Sequence, residues 1–325
     1  MVARLAGVSE STVSCVLNNT RKVSKKTSEK VMAAIKELNY IPDMVARGMS
    51  MKKSFQVAVI LNDIANILYG EIVSEIEKIA MKNGFFLNIC GGYSTFSAYV
   101  DHIIARKIDA VYICVNTNKI DFQDIKKLID AGVTVVMGGY IEEFKDQVSF
   151  INVDMKGGLR QELEYLKEKG HKKIGFMSCF PENYKYDDRV DDFKKLMLEI
   201  FGERDPKVYS EETVIDTSIE NGYRMLKDKV DTNEITALIC INDLMAIGAI
   251  NALEEQGKCV PDDFAVMGID DNKLSEYVKP SLTSFGPDKK EFGEAVFELM
   301  KNGIETGLPK NVMVPVHLHI RNSAK

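Results

Sequence analysis

Val8-Ser9-Glu10-Ser11-Thr12-Val13-Ser14-Cys15-Val16-Leu17-Asn18 reads as a helix with two unlike faces. Ser9 is a good N-cap, its hydroxyl placed to accept from the free amides of the first turn. Val13, Val16 and Leu17 recur at i, i+3, i+4 and make one face apolar, while the other is short, polar and uncharged apart from Glu10. Just before it, Val2-Ala3-Arg4-Leu5-Ala6 is helical and stops at Gly7, so the local order is helix, glycine turn, helix. Small hydroxyl residues such as Ser11, Thr12 and Ser14 let a helix backbone come close to phosphates and base edges. The same residues also fit a small three-helix domain that meets no nucleic acid.

The charge is unevenly spread. From Met1 to Ser54 there are ten Lys or Arg against four Asp or Glu, a net of +6 in a chain whose total is −6, so the remainder carries −12. A basic head on an acidic body is the electrostatic footprint of a nucleic-acid-binding module. Ser24 caps a third helix over 27–38, with Val31, Ile35 and Leu38 facing inward. Asn39 to Pro42 breaks it, and Asp43 to Met49 is a short hinge, too small to be a stable helix alone.

The body opens with Phe55 to Leu61, an apolar run typical of a strand buried on both faces. Periodicity then predicts helix 69–81, strand 85–90, helix 95–106, strand 110–115, helix 122–131 and strand 133–137. A second series starts near Met155, with strands 173–178, 236–241 and 264–268, a helix over 286–303 and a closing strand over 312–320. Strands alternating with helices imply parallel sheets.

Composition fits a globular chain. A length of 325 residues accommodates a small head and a body of two lobes. No apolar run approaches the roughly 18 residues of a membrane span, and Met1 leads into a helix rather than an export signal, so the cytoplasm is the expected compartment. The six cysteines are scattered without C-x-x-C, and Cys90, Cys114 and Cys240 sit in strand-like runs as small core residues. Enzyme motifs are missing: there is no G-x-G-x-x-G, no phosphate-binding loop and no G-x-S-x-G. His102, His171, His317 and His319 lack companions for a metal site. Neither a metal nor a cofactor is expected.

Ala3-Arg4-Leu5-Ala6-Gly7-Val8-Ser9, Thr12-Val13-Ser14, Val16-Leu17-Asn18, and Tyr40-Ile41-Pro42-Asp43 with Ala46-Arg47 closely resemble the head of the LacI/GalR family of bacterial transcription regulators. Asn242-Asp243-Leu244-Met245-Ala246-Ile247-Gly248, Gly268-Ile269-Asp270-Asp271 and Pro280-Ser281-Leu282-Thr283-Ser284 continue the resemblance through the body. It implies a helix-turn-helix domain over 1–40, a hinge over 41–54 and a bilobed body over 55–325. The body resembles sugar-binding periplasmic proteins, with one lobe near 55–152 and 285–325 and the other near 153–284. Relatives carry about four more residues ahead of Val2, so the head is expected to be frayed or the start to lie upstream.

By the same resemblance, Ser9, Glu10, Ser11, Thr12, Ser14, Cys15 and Asn18 face DNA, and Met49, where Leu is usual, is the side chain a hinge helix wedges into the minor groove. Unstacking a base step costs a few kcal/mol, offset by the bend and its contacts. Cys15 often has an Arg in its place and cannot make the bidentate guanine contact, whereas Glu10 could accept from a cytosine amino group. Affinity is then expected to lean on Lys22, Lys25, Lys26 and the hinge.

Ligands of such folds sit beyond the carboxyl ends of strands. Asn62, Asp63, Leu68, Tyr69, Asn183, Arg189, Asp216, Thr217, Asn242 and Asp270 all follow strand ends. The resemblance puts Arg189, Asn242 and Asp270 where relatives hold their small molecule, and Leu68, Tyr69, Asn183 and Thr217 at variable wall positions. Planar Asp, Asn and Arg groups suit a polyol, and an aromatic face such as Tyr69 suits a sugar ring. Each also has a plain structural role open to it: Asp270 or Asn242 as helix caps, Arg189 as the partner of Asp187 or Asp188. Ile67-Leu68 stands where Pro-Phe is common and Asp192 where Gly is usual, which points away from the hexoses many relatives bind.

The implied function is a dimeric repressor that reads an inverted repeat in double-stranded DNA and responds to a small molecule, a carbohydrate by this chemistry. A dimer is favoured over a tetramer because no heptad segment follows Ile320. Two other classes stay open: a regulator read by a partner protein, and a solute-binding protein with an inactive head.

Overall fold

The computed structural model describes residues 1–18, 21–40, 48, 51, 53–92, 95–115, 120–182, 184 and 187–325. They form two compact units, Met1–Phe55 and Gln56–Lys325.

In the first unit, α1 (Val2–Ala6) ends at Gly7, whose φ of 66° is the left-handed conformation that a Cβ disfavours. The turn leads to α2 (Glu10–Asn18), and α3 (Lys25–Glu37) follows. Ser9 and Ser24 cap as predicted, accepting from the amides of Thr12 and Thr27 at 3.2 Å each. Val2, Ala6, Val13, Val31 and Ala34 form the core, with Val8, Val16, Leu17, Ile35 and Leu38 packed around it. The hinge expected at 41–54, with Met49, lies for the most part outside the described residues.

The second unit holds two sheets. The first comprises β1 (Gln56–Leu61), β2 (Phe86–Gly91), β3 (Ala110–Cys114), β4 (Thr134–Gly138), β5 (Ser149–Val153) and β11 (Asn311–Val314). The second comprises β6 (Ile174–Met177), β7 (Lys207–Tyr209), β8 (Ala237–Cys240), β9 (Ala265–Ile269), β10 (Thr283–Gly286) and β12 (His317–His319). The strand orders are β2-β1-β3-β4-β5-β11 and β7-β6-β8-β9-β10-β12, the same winding twice. The pairings are parallel except β10 with β12.

Val57 to Leu61 of β1 are at most 3% exposed, as a strand covered on both faces must be. Val57, Val59 and Leu61 face α4 (Ile67–Lys82) and α11 (Lys289–Thr306). Ala58 and Ile60 face α5 (Phe96–Ala105) and α6 (Phe122–Asp130). The second sheet is covered by α7 (Met155–Glu168), α8 (Arg189–Phe201), α9 (Ile219–Lys229) and α10 (Asp243–Glu255). Here α9 and α10 touch backbone to backbone: a Cβ on Gly248 would lie 2.0 Å from the Ile219 carbonyl oxygen, and one on Gly222 2.2 Å from that of Met245.

The chain passes between the lobes near Asp154, between Gly286 and Lys289, and near Pro315. Thus α7, which follows β5 of the first sheet, covers the second, and α11, which follows β10 of the second, covers the first. The single closing strand expected over 312–320, placed with all of 285–325 in the first lobe, is instead two strands in different sheets. Pro315 has no N–H to continue a ladder, and the chain turns there to the second lobe. The tail stays with that lobe: Ser323 donates to the Val266 carbonyl at 2.6 Å, and the Tyr165 hydroxyl to the Ala324 carbonyl at 2.7 Å.

Candidate ligand cleft and nucleic-acid interface

Because the strands within each sheet run largely parallel, their carboxyl ends emerge on one edge, and the two edges enclose a cavity of about 840 Å³. Leu68, Tyr69, Arg189, Thr217, Asn242 and Asp270 all line it; Asn183 lies outside the described residues. Asn62 and Asp216 line it too, whereas Asp63 turns out to cap a local turn, accepting from the Ala65 amide at 2.8 Å.

Arg189 opens α8 and is fixed on every side. Asp187 takes Nε at 3.0 and 3.1 Å and Nη2 at 2.6 Å, while Nη1 donates to the Ile241 carbonyl at 2.8 Å. Its guanidinium lies 5.9 Å from the centre of the Phe180 ring, which stacks in turn on Tyr184. Burial opposes the charge, but the Asp187 carboxylate more than compensates and holds the pKa above the usual arginine value. The pairing with Asp187 coexists with the cleft position; the two readings of Arg189 are not exclusive.

Asn242 is 3% exposed and caps α10, its Oδ1 accepting from the Met245 amide at 3.0 Å. Asp270, 8% exposed, caps no helix: among the described residues its carboxylate has no hydrogen-bond partner. Its backbone sits at φ 105°, a conformation L-residues seldom adopt, and is locked by its amide donating to Phe285 at 2.8 Å and by Lys289 Nζ donating to its carbonyl at 2.6 Å. Burial raises the Asp270 carboxyl to about 7 despite the nearby Arg189 and Lys289 charges.

Behind it lies Asp243, fully buried, which accepts from Ser284 Oγ at 2.5 Å, the Asn272 amide at 2.7 Å and Ser275 Oγ at 2.8 Å. Burial, reinforced by Asp270, pushes it up to about 8. Deeper still, Glu162 of α7 has neither carboxylate oxygen partnered, and burial followed by the Asp243 charge drives its pKa well above the carboxylate range. A neutral carboxylic acid satisfies such a site better than an ion.

The first lobe's wall differs. Tyr69 and Tyr112 bring their hydroxyls to the Cys114 thiol, and Phe292 of α11 packs edge-on to Tyr112 at 6.3 Å. Asn62 adds a buried Oδ1 without a partner. Cys90 and Cys240 are buried core residues as expected, and Cys114, partly buried and packed against the core of the first lobe, also faces the cleft. Phe180, Cys114 and Phe292 escaped sequence reasoning. Phe180 follows a strand end and Cys114 is the last residue of β3; Phe292 comes from a helix far along the chain and left no local signal.

In the head, Ser9, Glu10, Ser11 and Ser14 are exposed and Thr12 and Cys15 partly so, while Val13 is buried. Ser9 Oγ lies 2.8 Å from the hydroxyls of both Ser11 and Thr12. Asn18 ends α2, but its side chain is outside the described structure. Arg4, Arg21, Lys22, Lys25, Lys26 and Lys30 are exposed and, among the described residues, engaged in no ion pair. They leave the unit's positive charge available to an external anion.

Among the described residues no group of three His, Cys, Asp or Glu is placed to hold a metal, and no helix is long and apolar enough to cross a membrane.

The chain matches the profile of the bacterial regulatory proteins of the lacI family over residues 2–43, and that of the periplasmic binding protein-like domain over 163–324. It is 30% identical over 311 residues to the HTH-type transcriptional repressor PurR of Vibrio vulnificus, covering 94% of this chain and 91% of that protein. With the PurR of Mannheimia succiniciproducens it shares 31% over 333 residues, covering 100% and 97%. Among solved structures, the lac repressor dimer bound to operator and the anti-inducer ONPF superposes with a TM-score of 0.80 at 26% identity, covering 99% of this chain and 97% of that one. The complex of the transcriptional regulator CelR with cellobiose gives 0.73 at 28%, covering 100% and 98%. On these matches, with a helix-turn-helix unit and a bilobed cleft in one chain, the protein belongs to the lacI family of bacterial regulatory proteins.

Proposed function

We propose that this protein is a cytoplasmic, homodimeric transcriptional repressor that binds an inverted-repeat operator through α2 and whose operator affinity is set by a small polyol in the interlobe cleft. The observation that carries the reading is the meeting of Arg189, Asn242 and Asp270, from separate stretches of chain, in one cavity lined also by Tyr69 and Phe180. Their planar polar groups match vicinal hydroxyls, and the aromatic rings match the apolar side of a sugar. The repressors PurR and the lac repressor among its relatives support the direction of control, and the exposed cations of the head support the DNA partner. Ligand held between the lobes biases the body toward one arrangement and so biases operator binding; a coupling of about 1 to 3 kcal/mol changes affinity some 5- to 150-fold.

Selection of random duplex DNA by the full chain, followed by titration of the enriched duplex with and without saturating ligand, tests this. An inverted repeat whose affinity shifts with ligand is the expected result. Asp270→Ala should abolish the shift while the duplex is still bound, because Asp270 lies in the cleft and the duplex is read by α2. An operator affinity indifferent to every small molecule would instead favour control by a partner protein.

A further inference from the structure

The cleft has a charge imbalance that a neutral sugar leaves unanswered. Among the described residues six carboxylates line it, Asp154, Asp187, Asp188, Asp192, Asp216 and Asp270, against the cations Lys156 and Arg189. Arg189 is already taken by Asp187, and Asp154 caps α7 through the Gly157 amide at 3.0 Å. Asp192 and Asp216 have no side-chain hydrogen bond or ion pair among the described residues, and Asp188, at the start of α8, caps nothing with its side chain.

An acidic cluster alone would be an ordinary solvated rim. What distinguishes this one is Asp270: 8% exposed, facing the cavity, with its carboxylate unpartnered and its backbone fixed in a strained conformation by Phe285 and Lys289. On the opposite wall the buried Asn62 Oδ1 is a second acceptor without a donor. Both orphaned groups are acceptors, and an unsatisfied buried acceptor is costly until a donor arrives. The described lining therefore carries more negative than positive charge and leaves these two acceptors unanswered, and an ammonium group supplies both a positive charge and donors. The charged groups around Asp270 agree: Arg189 is spent on Asp187, Lys289 donates to the backbone carbonyls of Asp270, Asp271 and Pro287, and Glu71 adds negative potential.

We propose that the effector of this protein is a cation, an amine-bearing polyol of the amino-sugar class, its ammonium seated on the second lobe's wall at Asp270 with Asp192 and Asp216 nearby. This rests on the cleft being the effector site. A phosphorylated or acidic sugar is disfavoured by the same charges.

Two matched series of probes separate the charge from the rest of the ligand: glucamine, sorbitol and gluconate, and glucosamine, glucose and glucose 6-phosphate. Binding is read by calorimetry on the full-length dimer at pH 7 and 150 mM salt. The cationic member should bind at least about tenfold more tightly than the neutral one in one or both series, with the anionic member weakest, and Asp270→Asn and Asp192→Asn should each cut that preference to threefold or less. A neutral or anionic member binding as tightly as its amine overturns the charge assignment and leaves the cleft as the effector site. A cationic preference that survives both substitutions overturns the seat assigned to the ammonium. If neither series binds and neither alters operator affinity, the cleft reading and the charge assignment fall together.

Discussion

The two lobes wind through the same strand order, yet the cleft wall each presents is chemically different. Among the described residues the first lobe brings Tyr69, Tyr112, Cys114, Phe292 and Asn62, with no ionised side chain, and the second brings Arg189 and most of the carboxylates. Even the helix caps correspond: Thr95 and Ser218 begin α5 and α9, Asp121 and Asn242 begin α6 and α10, Asp154 and Asp288 begin α7 and α11. The comparison separates two jobs. Winding decides which positions face the cleft, and the residues placed there decide what it holds.

Substitutions can break that comparison where the lobes differ. The largest effect should come from Arg189→Met, which leaves Asp187 partly buried and unpaired and should cost about 3–5 kcal/mol of stability by chemical denaturation. Adding Asp187→Asn should recover much of this, while Tyr69→Phe across the cleft should cost less than about 1 kcal/mol. Next, Gly248→Ala forces apart the α9 and α10 backbones and should cost about 3 kcal/mol, the upper range for overpacking. The corresponding pair in the first lobe, α5 and α6, places no glycine at its crossing.

A smaller, pH-dependent asymmetry should also reside in the second lobe. Glu162, Asp243 and Asp270 have folded pKa values above their unfolded ones, so the folded state binds the extra protons. Their contribution to stability is complete below about pH 4 and is lost as pH rises through about 7 for Asp270 and 8 for Asp243. Ligand-free protein should therefore lose stability between pH 5.5 and 8.5 from these groups, and Glu162→Gln should flatten that slope. An unchanged melting temperature across this window would remove the account. Where the lobes are alike, the effects should be equal and least: Thr95→Ala and Ser218→Ala each lose one capping bond and about 1 kcal/mol.

Much of this was legible in the sequence for a physical reason. Strands of a parallel sheet are buried on both faces, so β1, β3, β4, β8 and β9 appear as apolar runs. The runs gave no warning of β7, three residues at a sheet edge, nor of β10, whose Thr283 and Ser284 are polar yet fully buried because the Arg321 amide donates to the Thr283 hydroxyl and the Ser284 hydroxyl donates to Asp243. The cleft residues at strand ends were visible for the same reason the strands were. Cys114 packs against the core as its apolar run implies, but the run does not reveal that its last residue also borders the cleft. The Asp187 pairing of Arg189 was one of two neighbours the sequence could not separate.

The exchange of α7 and α11 between the lobes also bears on how the protein comes into being. As the chain leaves the ribosome, the first sheet's strands through β5 appear early, but the face that α11 covers stays bare, and the edge that β11 extends stays open, until the chain from Lys289 to Val314 is made. The second sheet waits in turn for β12 and the Ser323 tail. Domains usually fold in the order they are synthesised. Here the first lobe is whole only at Val314, a few residues before the second, so a nascent body carries exposed apolar surface, including Val57, Val59 and Val136, through most of its synthesis. Shielding that surface falls to chaperones or to speed, and a truncation between α7 and β11 leaves two incomplete lobes rather than one finished and one missing.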